Sequence, residues 1–249
     1  MNVDGATPPH NDALAGLGDA ALQSLTLESL TSARVYHRWL TDLALPYLGE
    51  QPIELGSGLG DYAEVWLAAG VPRLTLTDLD PVRLELLRRR FADRPEVLIE
   101  RVDLFDPPQR DHSCLVAYNV LEHIDDDAQA LKAAHRLLAP GGAVVMFVPA
   151  FPFAMGEFDR KVGHFRRYTK RTLLGAYESA GLQVERLHYV NAPGLLAWFL
   201  GVRVLRMTPI DSPFVRLWDR VITRAERVLE RRLPPPFGQS VFAVGRVPA

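Results

Sequence analysis

The run Glu54-Leu55-Gly56-Ser57-Gly58-Leu59-Gly60 constrains the fold more than any other part of the chain. Pro52 and Ile53 lead into it, Glu54 adds a carboxylate, glycines then alternate with other residues, and a helical pattern starts at Asp61. That order predicts a buried strand, a tight turn and a helix N-terminus. Glycine at alternate positions admits positive φ and lets backbone N–H groups reach a ligand without a Cβ in the way. The helix N-terminus adds the positive end of its dipole beside them. A dinucleotide fingerprint, G-x-G-x-x-G, would place its third glycine where this chain has Asp61.

Downstream, apolar runs alternate with helical patterns. Strands are expected over Arg73–Thr77, Val97–Ile99, Cys114–Tyr118, Ala143–Val148, Leu182–Tyr189 and Ser240–Val247. Helices are expected over Tyr62–Ala69, Val82–Phe91, Asp126–Leu138 and Lys170–Ala180, the last capped by Thr169. Pro140-Gly141-Gly142 reads as a turn before the fifth strand. This spacing means βαβ units and a parallel sheet. Right-handed crossovers bring the carboxyl ends of the parallel strands to one edge, where such folds bind ligands. Glu54, Asp78, Asp103 and Asn119 each fall at a predicted strand end, so separate strands deliver polar groups to one crevice.

Composition narrows the function classes. A net charge of −2 gives no electrostatic case for nucleic acid as a partner. The single cysteine, Cys114, sits in an apolar run and reads as a small buried side chain, which rules out an internal disulfide and fits a cytoplasmic setting. No signal peptide or membrane-spanning run is apparent, and no metal-ligand spacing is found, so no metal is expected. Residues 1–20, rich in Gly, Pro, Ala, Asn and Asp, are expected to form a disordered tail ahead of one domain over 21–249.

The E-x-G-x-G-x-G run resembles motif I of the class I S-adenosylmethionine (SAM) dependent methyltransferases. Asn119-Val120-Leu121-Glu122-His123-Ile124 is similar to the segment after the fourth strand in small-molecule members, and Leu138-Ala139-Pro140-Gly141-Gly142 to the turn before their fifth. The signals follow the family order from Tyr36 to Val148. The resemblance implies a Rossmann-like α/β sheet, mostly parallel with its last strand antiparallel, and helices on both faces. It implies a SAM site lined by Tyr36, Glu54, Gly56, Ser57, Gly58, Gly60, Asp78, Leu79, Asp103, Leu104, Asn119 and Val120. Asp78 is expected on the ribose diol, with Asp80 as competitor or as the cap of the helix starting at Pro81. Asp103 and Leu104 are expected at the adenine, and Glu54 at the methionine ammonium. His123 lies beside the methionine side and is one candidate base.

Residues 24–48 read as an N-terminal helical lid, with Tyr36 as a cofactor contact or core anchor and Trp39 as an acceptor contact or core anchor. After the fifth strand, residues 150–169 form an expected acceptor loop, longer than most connections in such folds. It resembles the G-x-x-D-x-x-x-G-H-x-R-R-Y-T segment of one bacterial branch of the family. His164 is the first candidate general base, because imidazole titrates near neutrality. His164 and Tyr168 can equally pin the loop by hydrogen bonds, and Glu157, Arg166 and Arg167 can hold the acceptor. Residues 193–233 read as a helical insertion that can roof the acceptor pocket through Trp198, pair two copies as a homodimer, or touch a membrane surface. The expected activity is methyl transfer from SAM to a small organic acceptor, a specialised metabolite with an aromatic or acidic part. The alternatives are a lipid- or quinone-like acceptor, or a SAM-binding partner without its own chemistry.

Overall fold

The computed structural model describes residues 33–204 and 213–248. The expected tail over 1–20, the first part of the 24–48 helix and the Pro209–Ser212 part of the expected turn lie outside them. One sheet is built from β1 (Ile53–Leu55), β2 (Leu74–Thr77), β3 (Val97–Glu100), β4 (His112–Tyr118), β5 (Leu138–Pro149), β6 (Gln183–Val190) and β7 (Ser240–Arg246). Its strand order is β3-β2-β1-β4-β5-β7-β6. Pairing is parallel from β3 through β5, and β7 runs antiparallel between β5 and β6. The order reverses between β1 and β4, which makes their carboxyl ends the switch point of the sheet.

The two-residue period of the strands divides the interior into two cores. Leu115 and Ala117 of β4 and Val144, Met146 and Val148 of β5 face one side. There they meet α4 (Asp127–Ala134) through Leu131 and α6 (Lys170–Ser179) through Leu173 and Tyr177. Cys114, Val116 and Tyr118, with Val145 and Phe147, face the other. That side is covered by α1 (Arg34–Ala44) through Trp39 and Leu40, α2 (Asp61–Ala68) through Trp66, and α3 (Pro81–Arg90) through Leu87. Two polar groups at this interface are matched: Tyr118 Oη donates to the Leu40 carbonyl at 2.8 Å and Trp66 Nε1 to the Thr41 carbonyl at 3.2 Å. Cys114 is buried, and burial pushes its thiol pKa up.

Helix starts follow local chemistry. Asp80 accepts the Val82 N–H at 2.8 Å and Pro81 occupies the first turn of α3. Thr169 accepts the Thr172 N–H at 3.2 Å at the start of α6. The fifth strand departs from expectation. It starts at Leu138 and not at Ala143, because pairing with His112 resumes at Cys114–Ala143 across a bulge. Gly141, at φ +75°, supplies the extra turn within the strand. The Asp126–Leu138 helix is shorter than expected, ending at Ala134 with a 3-10 turn over His135–Leu137.

The insertion comprises α7 (Ala192–Trp198), a π-helical turn over Phe199–Val204, α8 (Pro213–Trp218), a second π-helical turn over Asp219–Thr223, and α9 (Arg224–Glu230). The second π turn is bound to the N-terminal helix. Ala33 offers α1 no side-chain cap, and Asp219 replaces it, accepting the Val35 and Tyr36 N–H groups at 2.9 Å each. Asp42 of α1 pairs with Arg227 and, at 3.5 Å, with Arg231. The two helical segments, remote in sequence, therefore form one layer. Asp219→Ala strips this cap from a distance and is expected to lower stability by about 1–2 kcal/mol in urea unfolding; an unchanged midpoint would mean that water replaces the cap freely.

Candidate functional site

The glycine turn is tied to the end of β2 by a closed set of hydrogen bonds. Ser57 N–H donates to the Thr77 carbonyl at 2.7 Å, and Thr77 N–H donates to Ser57 Oγ at 3.1 Å. Thr77 Oγ1 donates to the Glu54 carbonyl at 2.8 Å. Asp78 completes the set: Oδ2 accepts the Gly58 N–H at 3.1 Å and Oδ1 accepts the Asp80 N–H at 3.0 Å. Gly56 must be glycine twice over. Its φ is +64°, and a Cβ there would lie 2.7 Å from Cγ2 of Val120.

One carboxylate at this edge, Glu54, is short of partners. Glu54 is 3% exposed, its Oε2 has no hydrogen-bond partner among the described residues, and burial, with Asp61 and Asp78 nearby, pushes its pKa up to about 8 despite Ser57. Burial also raises the pKa of Asp78, against its backbone hydrogen bonds and Arg83. Two buried carboxyl groups beside a helix N-terminus, Glu54 and Asp78, fit a ligand with hydroxyl and ammonium donors, which is the donor set of SAM. Leu79 is half-buried beyond Asp78. Leu104 is buried, and Asp103 is half-buried with Oδ1 accepting the Phe105 N–H at 2.9 Å.

Beyond β4, Asn119 is exposed at φ +55° and Val120 is half-buried against Gly56. The non-glycine residues at positive φ among those described are Asn119, Phe151 and Asn191, just beyond the ends of β4, β5 and β6. Asparagine tolerates this region, but phenylalanine does so only under constraint. Phe151 is held by its N–H to the Tyr168 carbonyl at 2.7 Å and by stacking on Tyr189 at 4.8 Å. Strain at ligand-facing strand ends is typical of functional sites.

The 150–169 loop, which contains the short helix α5 (Glu157–Lys161), is organised around Asp159, which is fully buried. Its Oδ2 accepts the Gly156 N–H at 2.7 Å, and its Oδ1 accepts from Arg167 Nε at 2.8 Å and faces His164 Nδ1 at 3.1 Å. Burial pushes its pKa up, but the His164 hydrogen bond and Arg167 outweigh burial and hold it below the ordinary value. An ionised Asp159 can only accept, so His164 Nδ1 carries the proton. Arg167 is buried beneath the Trp198 ring, 4.9 Å from its centroid, which ties α7 to the loop.

His164 Nε2 looks instead toward Glu122 Oε1, 3.8 Å away. Glu122 lies in the 3-10 turn Leu121–His123, is fully buried, and has no hydrogen-bond partner among the described residues on either carboxylate oxygen. Burial raises its pKa to about 7, against the pull of His164, its own backbone N–H and Arg167. The His123 ring meets His164 edge-to-face at 4.7 Å. One ligand-type atom from each of Glu122, His123 and His164 falls within 4.8 Å of the others.

The fold therefore brings His123 and His164 together around Glu122, which the family resemblance puts, with His123, along the cofactor's methionine side. The signal was present: Glu122-His123 and Gly163-His164 belong to separate motifs that converge only in three dimensions. Other expected residues lie elsewhere. Tyr168 is buried, donates to Asp127 Oδ2 at 2.9 Å, and its pKa is pushed up by burial and by Asp127. Arg166 pairs with Asp125 at 3.0 Å and with Asp127 at 3.2 Å. Glu157 is exposed and bound to Lys161 at 2.9 Å. Trp39 belongs to the core. Tyr36 is half-buried toward Asn191 and Ser240, and burial raises its pKa. Trp198 is half-buried with its indole N–H lacking a partner among the described residues.

A glycine turn beside a buried acidic strand end, on a doubly wound sheet with β7 reversed, defines a Rossmann-like ligand-binding domain. A methyltransferase domain family model matches residues 53–144, from β1 into β5. A probable SAM-dependent methyltransferase of Mycolicibacterium smegmatis is 31% identical over 191 residues, covering 73% of this chain and 69% of that one. A ubiquinone biosynthesis O-methyltransferase of Pseudomonas aeruginosa is 27% identical over 204 residues, 74% of this chain and 85% of that one. An uncharacterized 37.1 kDa protein in a Streptomyces fradiae transposon is 35% identical over 129 residues, and the match spans 37% of its length. Among solved structures, a geranyl diphosphate methyltransferase in complex with SAM superposes with a TM-score of 0.60 at 15% identity, covering 93% of this chain and 96% of that one. The chain belongs to the SAM-dependent methyltransferase family, and SAM is its methyl donor. None of the helices among the described residues is long and apolar enough to cross a membrane.

Removing Arg167 would leave Asp159 buried beside a single remaining cation candidate, His164. Arg167→Leu is expected to destabilise the protein by about 3–5 kcal/mol in denaturant unfolding; a loss below about 1 kcal/mol would show that Asp159 is not the anchor of the loop.

Proposed function

We propose that the chain methylates a small organic acceptor held between the carboxyl edge of the sheet and the 150–169 loop. The observation that carries this reading is the Asp78 carboxylate, buried at the end of β2 and bound to the Gly58 N–H of the glycine turn. In this reading Asp78 accepts from the ribose hydroxyls, with Leu79 alongside. Asp103 and Leu104 receive the adenine. Gly56, Ser57, Gly58 and Gly60 give the methionine part a close backbone wall, Glu54 holds its ammonium, and Asn119 and Val120 close its other side.

SAM supplies the electrophilic methyl group and a sulfonium leaving group. The residues of the chain need mainly to align the acceptor, exclude water and receive one proton. Alignment alone can contribute ~7–11 kcal/mol. Glu122 and His123, just after β4, and His164, from the 150–169 loop, have the right chemistry to hold an acceptor hydroxyl. Tyr168 does not enter this reading, because its hydroxyl is engaged by Asp127 within the packed loop. Arg166 and Arg167 already carry carboxylate partners, whereas aromatic rings of the loop meet those of the insertion in two groups, Phe151–Phe153–Phe199 and Phe158–Trp198. This favours an aromatic or unsaturated acceptor over an acidic one.

A second reading, a lipid- or quinone-like acceptor, draws on the exposed Leu196, Leu200, Val204, Leu217 and Val221 of the insertion and on the name of the Pseudomonas relative. Liposome flotation separates the two: binding lost in a Leu196→Ser, Leu200→Ser double variant favours the lipid-like acceptor.

The direct test is S-adenosylhomocysteine release from SAM across a panel of phenols, catechols, prenyl compounds and carboxylic acids. Release with a phenolic or prenyl acceptor supports the reading. Cofactor binding with no release from any acceptor would favour a non-catalytic SAM-binding partner. Asp78→Ala is expected to weaken S-adenosylhomocysteine binding at least about tenfold by calorimetry, since two charge-assisted hydrogen bonds are lost.

Glu54 also sets a pH dependence. Its folded pKa, about 8, lies above the ordinary 4.5, so between these values the folded protein holds a proton that the unfolded chain has released. Its contribution to stability is complete below pH 4.5 and is lost as pH rises to 8. Binding an ammonium requires the ionised form, so S-adenosylhomocysteine affinity is expected to rise over the upper part of that window. Glu54→Gln should flatten both trends, and parallel slopes in wild type and variant would remove Glu54 from the role.

A further inference from the structure

We propose that Glu122, His123 and His164 form a binding site for one divalent transition-metal ion of the Zn2+ type, at the carboxyl edge beside the acceptor space. The ligand set is mixed, two imidazoles and one carboxylate, and its atoms lie within 4.8 Å of one another. In a tetrahedral site with bonds of ~2.0–2.1 Å, ligand atoms stand ~3.4 Å apart. The Glu122 Oε1 to His164 Nε2 separation is 3.8 Å, so closing by a few tenths of an ångström suffices for that pair.

Glu122 supplies an independent reason. A carboxylate that is fully buried and has neither oxygen hydrogen-bonded among the described residues is expensive to keep in a fold. At 3.8 Å, His164 is beyond hydrogen-bond distance and does not satisfy it. A cation bound to one oxygen would. The surrounding shell already has the form that metal sites use. Asp159 accepts from His164 Nδ1, which fixes the ring orientation and leaves Nε2 directed at Glu122. Arg167 and the Gly156 N–H hold Asp159 in place behind it. Glu122 sits at the base of the cluster, while His123 and His164 are partly exposed, so the remaining coordination positions open outward.

Imidazole ligands select Zn2+, Fe2+, Co2+ or Ni2+ over Mg2+, which prefers an all-oxygen shell. With three protein ligands the open position can take an oxygen of the acceptor and stabilise it as the anion. That consequence rests on the methyl-transfer reading above; the metal site itself does not.

The experiment is calorimetric titration of the chelator-treated full-length protein with Zn2+, followed by Co2+ absorption spectroscopy and an S-adenosylhomocysteine titration on the same sample. Expected are one ion per chain, micromolar or tighter binding, and visible Co2+ bands of a low-symmetry nitrogen–oxygen site. Glu122→Gln and His164→Asn should each weaken Zn2+ at least about tenfold and abolish the Co2+ bands. His135→Asn, at a remote histidine, should bind as wild type. No Zn2+ binding by the folded wild type, or unchanged binding and spectra in the variants, overturns the site. If Glu122→Gln fails to fold, the partly exposed His164→Asn decides. S-adenosylhomocysteine bound without Zn2+ overturns the metal site alone, and Zn2+ bound without S-adenosylhomocysteine overturns the methyl-transfer reading alone.

Discussion

The Asp78 carboxylate holds two chain segments together at the mouth of the sheet. One oxygen receives the Gly58 N–H of the turn after β1 and the other the Asp80 N–H before α3. Without that bridge, a turn with Gly56, Gly58 and Gly60 all at positive φ would be among the least ordered parts of the chain. With it, backbone donors, a buried acid and a helix N-terminus are fixed around one crevice before any ligand arrives. Such preorganisation matters for methyl transfer, where alignment supplies most of what a protein can contribute.

The opposite wall is built on the same physics. Asp159 gathers Gly156, His164 and Arg167, and through Arg167 it reaches Trp198 on α7. Asp127 likewise binds Tyr168 and Arg166. Buried carboxylates thus stiffen a long loop at the ligand edge, and Glu122 is the one in this group whose oxygens stay without a hydrogen-bond partner among the described residues. Another acid, Asp219, joins the insertion to α1. Such polar contacts join the apolar packing of Trp39 and Leu40 in fixing how the peripheral segments sit on the sheet.

Much of the sheet was legible in the sequence, because buried parallel strands read as apolar runs and the glycine turn marks where the first one stops. Asp80 and Thr169 were readable as caps from their neighbours. The start of β5 was not, since Pro140-Gly141-Gly142 has the composition of a turn while the pairing with β4 continues across a bulge. The π-helical turns of the insertion leave no periodicity signal. Side-chain roles in the 150–169 loop were the least legible. Arg167 and Tyr168 look like ligand-facing groups until Asp159 and Asp127 are found against them, and those partners are set by the three-dimensional path of the loop. Trp39 could be read either way along a helix, and only the packing of α1 on the sheet puts it in the core.

The measurement that bears most directly on this account is a crystal structure of the protein with S-adenosylhomocysteine. The account predicts the ribose hydroxyls within hydrogen-bond distance of Asp78, the amino group near Glu54, and the sulfur directed toward the space beside Glu122, His123 and His164. A ligand bound elsewhere, or a crevice that excludes it in crystals where the glycine turn is ordered, would contradict it.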